Sequence, residues 1–170
     1  ENITYGEVAK ISIKVDGVDL GTITVTVNTA TQVLPVVNGM AYWNVSGLAA
    51  GNYTVTASFT GNDDYNATGD VKGFEVKKAT PAITIDVAPV PAGRNATIIV
   101  YINETATGEI SVEINGTVYK DNITDGKVII VTQGLPAGSH PINVTYYGDN
   151  NYTYFNDNGT NNASKQLNIT

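Results

Sequence analysis

The sequence contains no cysteine and only one histidine, His140. The lack of cysteine excludes both a disulfide framework and a thiolate metal site. No apolar run is long enough to span a bilayer, and the amino terminus has no signal-peptide pattern. Phosphate-binding glycine-rich loops, paired metal-binding histidines and the serine elbow of hydrolases are also absent. We therefore expect no direct membrane insertion, no cofactor and no catalysis.

Charged residues are scarce, at 15% of the 170 residues. Nine Lys and Arg face sixteen Asp and Glu, which gives a formal net charge of −7. Because the basic residues form no patch, neither nucleic acid nor an anionic membrane is expected as a partner. Thr, Val, Ile, Tyr, Asn and Gly dominate instead, which is a composition typical of an all-β protein.

An internal repeat organises the chain, because residues 1–78 recur as residues 88–165 at a constant offset of 87. Between Gly6 and Tyr65 the two copies align without a gap. Of 60 aligned positions 14 are identical, where shared composition alone gives roughly four. A unit of this length can hold its own core. The repeat thus predicts two domains, residues 1–78 and 79–170.

Alternation of apolar and polar residues predicts short strands in both copies. In the first copy these are 8–15, 21–28, 31–37, 39–45, 52–59 and 71–77. In the second copy they are 80–87, 95–103, 108–115, 117–123, 126–132, 139–147 and 164–170. The pattern predicts an all-β fold of two tandem immunoglobulin-like sandwiches with about seven strands each. Because proline removes a ladder donor, strand 139–147 is expected to begin its pairing after Pro141.

The two copies differ at their amino-terminal ends. The second copy opens with the strand Ile83–Val87, whose counterpart would lie before Glu1. The first domain is therefore expected to lack its first strand and to expose a sheet edge suited to self-association. The chain starts without Met and stops mid-pattern at Thr170, so we expect a piece of a longer protein, with other repeats of that protein as its neighbours.

Two short motifs carry a family resemblance. Leu48-x-x-Gly51-x-Tyr53 is similar to the tyrosine corner of immunoglobulin-like and fibronectin-like sandwiches, in which a Tyr hydroxyl caps upstream backbone. A Gly-x-x-x-Tyr turn follows the sixth strand of each copy. With these motifs the chain resembles the bacterial immunoglobulin-like (Big-type) repeats of prokaryotic adhesins, most of all those of methanogenic archaea. The resemblance implies a secreted or cell-surface module without enzymatic activity.

His140 stands at the tyrosine-corner position of the second copy, where the first has Tyr53. Its simplest interpretation is a hydrogen-bonding substitute for Tyr. A catalytic role is not expected, because no Ser or Cys nucleophile with an orienting acid accompanies it.

Thirteen of the nineteen asparagines begin an Asn-x-Ser/Thr triplet, where about three are expected by chance. Such sequons accept N-linked glycans in secreted proteins. The alternative is that strand alternation places Asn and Thr together on the solvent face. The candidate glycosylation sites are Asn2, Asn44, Asn52, Asn66, Asn95, Asn103, Asn115, Asn122, Asn143, Asn151, Asn158, Asn162 and Asn168.

The last loop of the second copy, residues 148–163, is the candidate ligand-binding segment. After Tyr152 the copies lose register, and the final strand matches at an offset of 93, so six extra residues enter this loop. Tyr152, Tyr154 and Phe155 combine stacking rings with many asparagines, as sugar-binding surfaces do. The alternative is a solvated loop with Tyr152 tucked under its turn.

Acidic residues near the same turns raise the alternative of a calcium site. Asp63, Asp64 and Asp149 lie after the sixth strands, but Asp63 and Asp64 become asparagines in the second copy. Calcium needs six to eight oxygen ligands, so we expect solvated turns and no metal.

The sequence as a whole predicts a non-catalytic extracellular module of an adhesin-like surface protein, acting as a stalk or spacer and in cell adhesion. The alternative is that the second domain itself binds carbohydrate or a host protein through loop 148–163.

Overall fold

The structure is a computed structural model that describes residues 1–157 and 165–170. The chain folds as two compact units, Glu1–Lys78 and Ala79–Thr170. The described residues of both units form strands, turns and loops, and among them no helix has the length and apolar character needed to cross a membrane.

The strands confirm the predicted all-β sandwich class. Those of the first unit are β1 (Ile3–Thr4), β2 (Ala9–Lys14), β3 (Leu20–Val27), β4 (Ala30–Val37), β5 (Met40–Val45), β6 (Gly51–Phe59) and β7 (Thr68–Lys77). Those of the second unit are β8 (Thr84–Val87), β9 (Thr97–Tyr101), β10 (Glu109–Ile114), β11 (Thr117–Asn122), β12 (Lys127–Val131), β13 (Gly138–Tyr146), β14 (Phe155–Asp157) and β15 (Lys165–Ile169).

In the first unit the strand order is β1-β7-β6-β3-β4-β5-β2. Strands β4 and β5 pair only at Val37 and Met40, next to the turn that joins them. This turn lets β5 and β2 fold over the other five strands. Between the two layers lies a core that includes Val25, Ala41 and Phe59.

Strand alternation explains the core of this unit. Successive residues of a strand point to opposite faces, so Ile23, Val25 and Val27 share the inner face of β3. Their exposed fractions are 4%, 0% and 3%. Burying such a side chain stabilises the fold by about 1.5–3 kcal/mol.

The second unit repeats these pairings in the same register. Val25 lies opposite Gln32 in the first unit, and Val112 lies opposite Tyr119 in the second, 87 residues later in each case. One sheet of the second unit has the order β11-β10-β13, and both β14 and β15 pair with β13. The other sheet has the order β12-β9-β8. The offset found in the sequence is therefore also the offset of the hydrogen-bonded ladders.

In the first unit no described strand takes the place of β8. In the second unit β8 lies antiparallel beside β9. In the first unit β2, the counterpart of β9, is the terminal strand of its sheet, and no described strand flanks its outer side. Strand β1 does not replace β8, because it pairs in parallel with β7 in the opposite layer. Its counterpart is the parallel bridge between Val90 and Ile169.

The prediction that register is lost after Tyr152 is wrong. Phe155 lies opposite Tyr146 in the second unit as Thr68 lies opposite Phe59 in the first, so the offset of 87 continues into β14. The offset changes to 93 only at β15, where Lys165 lies opposite Ile142. The six additional residues enter between Asp157 and Lys165. A strand, β14, therefore occupies part of the predicted loop.

The prediction for Pro141 is also wrong, because β13 pairs with β15 from Gly138 onward and Pro141 lies opposite Gln166. The first unit shows the reason. The N–H of Thr54, the counterpart of Pro141, donates to Asn28 Oδ1 at 2.9 Å, away from the final strand. A proline at this position cannot donate the hydrogen bond that Thr54 makes to an asparagine side chain, but the hydrogen bonds between β13 and β15 are not affected.

Candidate functional site

The Gly-x-x-x-Tyr turn has the same geometry in both units and places the candidate loop. Asn62 Oδ1 accepts hydrogen bonds from the backbone N–H groups of Asp64 and Tyr65 at 2.9 and 2.8 Å. Asp149 Oδ1 accepts the corresponding bonds from Asn151 and Tyr152 at 2.8 and 2.7 Å. Each is an Asx turn, in which the side chain supplies the acceptor that the reversing backbone lacks.

The glycine of this turn has a steric role as well. Gly148 has a φ of +81°, and a Cβ at this position would lie 2.9 Å from Tyr152 O and 3.0 Å from Tyr154 N. Only glycine combines that backbone conformation with so close an approach. The turn motif thus serves the fold in both copies.

Asp149 makes further bonds that have no counterpart in the first unit. Its Oδ2 accepts from the backbone N–H and the hydroxyl of Thr107 at 2.8 and 3.1 Å. Desolvation by burial opposes ionisation of the carboxyl, but the hydrogen bonds from the backbone N–H groups of Thr107, Asn151 and Tyr152 outweigh it, and the pKa of Asp149 lies below its ordinary value. The carboxylate therefore ties the turn to the segment before β10.

Tyr146 completes this structural network. Its hydroxyl donates to Thr107 O at 3.0 Å, and the residue is fully buried. Desolvation, followed by the hydrogen bond with Asp149, raises the pKa of Tyr146 well above its ordinary value. The phenol stays protonated and acts as a buried donor.

The acidic residues near the turns do not assemble a metal site in the described part of the chain. Asp63 and Asp64 are exposed, and Asp149 is engaged by the N–H and O–H donors described above. Nowhere in residues 1–157 and 165–170 do three His, Cys, Asp or Glu side chains group closely enough to hold a metal ion.

The three predicted ligand-binding residues lie in different environments. Tyr152 is buried, with 5% of its surface exposed, and its hydroxyl lies 2.8 Å from Thr105 Oγ1. Phe155 is half-buried in β14. Only Tyr154, 59% exposed, presents its ring to solvent. Tyr152 therefore offers no ring face to a ligand, because it fills the space beneath its turn. Residues 158–163 of the predicted loop lie outside the described residues.

Tyr154 is instead paired with Tyr147, which is not one of the three predicted ligand-binding residues. Their ring centroids are 6.4 Å apart with the planes tilted by 59°, and Tyr147 is 55% exposed. Lys120 Nζ lies 5.6 Å from the centroid of the Tyr147 ring. We call Tyr147, Tyr154 and Lys120 the aromatic patch. Strand alternation could have identified Tyr147 as exposed. Successive residues point to opposite faces, and Tyr147 directly follows the inward-facing Tyr146 at the end of β13.

The tyrosine corner occurs in both units. The Tyr53 hydroxyl donates to Ala49 O at 3.0 Å, and His140 Nε2 lies 2.9 Å from Pro136 O. Ala49 and Pro136 are equivalent positions, each four residues before the ring. The histidine ring thus takes the place of the phenol, and its Nε2 contacts backbone rather than a nucleophile.

Comparison with solved structures gives matches of low similarity. The fibronectin(III)-like modules of Clostridium thermocellum CbhA align with 100% of this chain and 89% of their own, at 14% identity and a TM-score of 0.40. The FN1–FN3 domains of chicken CNTN1 align with 99% of this chain and 67% of their own, at 11% identity and a TM-score of 0.33. No protein-family model matches the chain, and no curated protein matches it.

The sequon asparagines divide by exposure. Asn103, Asn143 and Asn151 are half-buried, and Asn158 and Asn162 lie outside the described residues. Those that are exposed are Asn2, Asn44, Asn52, Asn66, Asn95, Asn115, Asn122 and Asn168. Asn2 Oδ1 accepts from Glu75 N at 2.9 Å, which leaves its amide nitrogen, the atom that would carry a glycan, uninvolved in that bond.

Proposed function

We propose that the chain is a non-catalytic extracellular module of an adhesin-like surface protein, and that its two repeats act as a spacer that presents other parts of that protein in cell adhesion. The observation that carries this proposal is the repetition of one ladder register in two units. Identical registers are what tandem duplication of one domain produces, and a spacer is built from such repeated domains. The resemblance of the sequence motifs to repeats of methanogenic archaea supports a prokaryotic source, and an archaeon is our preferred source.

Further support comes from the elements that sequence reasoning singled out. The lone histidine caps a tyrosine corner, and Asp149 and Gly148 hold an Asx turn. These residues serve folding, so they are not free to carry a reaction. The exposed sequons are compatible with a glycosylated, protease-resistant surface.

The location is tested by labelling intact cells of the native host with antibodies raised against this chain. Labelling that a mild external protease removes supports a surface protein. Labelling only after permeabilisation contradicts the proposal.

Glycosylation is tested separately by mass spectrometry of peptides from the protein isolated from its native host. We expect glycans on exposed sequons such as Asn52 and Asn95, and unmodified peptides for the half-buried Asn143. Unmodified asparagines throughout would refute the glycoprotein hypothesis and leave the spacer role to be decided by the labelling.

A second candidate function rests on the aromatic patch. Two exposed, mutually tilted tyrosines beside a lysine form a surface on which a sugar ring stacks, with the ammonium group as an additional donor. We infer carbohydrate as the ligand class, because aromatic faces contact the apolar side of a pyranose while hydroxyl groups accept and donate at its edge.

This second function is tested on a glycan array with the full chain and the variants Tyr147→Ala and Tyr154→Ala. Both variants should lose the signal. The matched control is Tyr42→Ala, which removes a tyrosine 67% exposed on the first unit. Binding that persists in both patch variants, or no binding at high protein concentration, leaves only the spacer role.

A further inference from the structure

The outer edge of β12 in the second unit presents backbone groups that β9 does not use. Strand β12 is the terminal strand of its sheet, and no described strand flanks its outer side. Thr132 N donates to Ala96 O at 2.9 Å, toward β9. Because the N–H groups of a strand alternate in direction, those of Ile129 and Val131 face the outer edge. This edge lies in the middle of its unit, with described strands before and after it in sequence.

Both ends of this edge are closed by the fold. At one end Lys127 N donates to Thr124 O at 3.2 Å, and Thr124 N donates to Lys127 O at 3.0 Å. At the other end Gln133 N donates to the Tyr119 hydroxyl at 3.2 Å. Between these bonds, the backbone of Ile129 and Val131 has no partner in the described part of the chain. We call these two residues the edge window.

The side chains of the edge window are apolar and face solvent. Ile129 and Val131 are 48% and 53% exposed, whereas the alternate residues Val128 and Ile130 are buried in the core. On the same outer face, Ile99 of β9 lies opposite Ile129. Unpaired backbone groups flanked by β-branched side chains are a template on which another strand can pair.

The first unit protects the equivalent edge. Tyr42 of β5 is the counterpart of Ile129. Asn44, the counterpart of Val131, is exposed and begins a sequon, and Lys10 lies opposite it on β2. A lysine beside an edge strand discourages pairing with a second chain, and a glycan on Asn44 would obstruct it. The two units thus differ in the property that decides whether an edge can pair.

We propose that two copies of this chain pair through β12, edge to edge and in antiparallel orientation. The edge window is self-complementary. When Ile129 of each copy lies opposite Val131 of the other, every N–H and C=O group of both windows has a partner. Such a contact is two-fold symmetric and closed, which favours a second copy as the occupant. The two three-stranded sheets then form one continuous sheet of six strands.

The closed ends of the edge window fix the register of this pairing. If Ile129 lay opposite Ile129, or Val131 opposite Val131, the other window residue would face a backbone position already bonded to Thr124 or Tyr119. Half of the window's hydrogen bonds would then be lost. The pairing is independent of the spacer and carbohydrate-binding functions proposed above.

Sedimentation velocity of the full chain, over concentrations up to about 1 mM, tests the proposal. We expect a reversible dimer. Ile129→Lys places a charge on the edge and should weaken the dimer by about tenfold or more. The matched control is Tyr42→Lys at the equivalent position of the first unit, which should leave the dimer unchanged. A monomer at every concentration, or a dimer that persists in Ile129→Lys, overturns the proposal.

Amide exchange of the native chain tests strand pairing without any substitution. In the dimer, exchange at the Ile129 and Val131 amides should be slower than in the dilute monomer, because these N–H groups become hydrogen-bonded. The amides of Tyr42 and Asn44 should exchange at the same rate in both. Unchanged exchange at Ile129 and Val131 in a dimer would mean that the copies meet through another surface, which contradicts the proposal.

Disulfide cross-linking tests the register, because the chain has no cysteine of its own. Directly opposite residues of a hydrogen-bonded pair have Cα atoms about 5.5 Å apart, within reach of a disulfide, whereas diagonal neighbours are about 7–8 Å apart. An oxidised mixture of Ile129→Cys and Val131→Cys chains should therefore give a cross-linked heterodimer, and either variant alone should give little. Equal cross-linking of one variant with itself would overturn the proposed pairing.

Discussion

The hydroxyl of Tyr53 donates a hydrogen bond to the carbonyl oxygen of Ala49 at 3.0 Å. The ring of Tyr53 also stacks on Phe74, with centroids 5.4 Å apart and planes 20° from parallel. Tyr53→Phe keeps the stacking and removes only the hydroxyl, so it should lower the free energy of unfolding of the first unit by about 1 kcal/mol. Denaturant unfolding followed by Trp43 fluorescence measures it, because that tryptophan packs against the core of the same unit.

The second corner supplies the control for this prediction. Tyr53→His introduces the residue that the second unit uses at its corner, and its imidazole reaches a carbonyl four residues upstream. It should restore part of the stability lost in Tyr53→Phe. If Tyr53→Phe is as stable as the native chain, the corner bond contributes nothing and the motif serves another purpose.

The missing strand leads to a second prediction, from a matched pair of core substitutions. Ile98 is fully buried on β9, which β8 flanks, whereas its counterpart Ile11 is half-buried on β2, the terminal strand of its sheet. Ile98→Ala should destabilise the second unit by about 3–4 kcal/mol, and Ile11→Ala should destabilise the first by about 1–2 kcal/mol.

Calorimetry of the full chain makes the comparison. We expect two transitions, the lower one belonging to the first unit and shifted by Ile11→Ala. A single cooperative transition, or equal costs for the two substitutions, would show that β2 is as well packed as β9 without a flanking strand.

Much of the fold was predictable because its determinants are local and repeated. Alternation placed Val25 and Val112 in the cores, and the offset of 87 carried the ladder register from one unit to the other. Comparison of the two copies shows that six residues are inserted in the second, but it does not fix their position, and strand β14 was missed for this reason. The pairing of Asp157 with Val144 shows that the insertion follows Asp157. The backbone nitrogen at position 141 points away from β15, which is why Pro141 is tolerated there, and this direction could not be deduced from composition or spacing.

The candidate site was less predictable, because exposure depends on packing over long sequence distances. Tyr152 and Tyr154 differ by two residues and have similar sequence surroundings, yet one hydroxyl contacts Thr105 under the turn and the other ring faces solvent. The contact of Lys120 with the Tyr147 ring joins two residues that are distant in sequence, and no local sequence pattern predicts it.

Asp149 should make the second unit sensitive to acid. Its folded-state pKa lies below the ordinary value of 3.8, so the carboxylate stabilises the fold above that value and this contribution is lost as pH falls through the lower folded-state pKa. We expect the stability of the second unit to decline from about pH 5 downward. Asp149→Asn should flatten this decline, as measured by denaturant unfolding at a series of pH values.

At neutral pH Asp149→Asn should lower the free energy of unfolding of the second unit by about 1–3 kcal/mol. Both carboxylate oxygens of Asp149 accept hydrogen bonds, and an asparagine retains only one of these acceptors. The Thr107 N–H and hydroxyl would then face an amide NH₂ group. Asn62→Asp in the first unit is the control. Both side chains provide the oxygen that accepts from Asp64 and Tyr65, so little change is expected. An unaltered pH profile in Asp149→Asn would assign the acid sensitivity to other carboxyl groups.

The fourth prediction concerns the insertion between β14 and β15. Val71 alone separates Asp70 from Lys72 in the first unit, whereas residues 158–164 separate Asp157 from Lys165 in the second. Lys72 lies opposite Val55 on β6, and Lys165 lies opposite Ile142 on β13. Val55 and Ile142 are equivalent positions of the two units. Replacing 158–164 by a single Val should therefore join β14 and β15 into one strand in unchanged register.

The new valine would lie opposite Asn143, as Val71 lies opposite Thr56. Because seven residues no longer separate the two strands and the ladder gains pairs, the free energy of unfolding should rise by about 1 kcal/mol. Amide exchange at Asn143 and denaturant unfolding check both parts, with a variant carrying seven Gly and Ser residues at 158–164 as the length control. A shortened chain less stable than that control would mean that residues 158–164 contribute contacts of their own, and the insertion would then be part of the fold rather than an interruption of one strand.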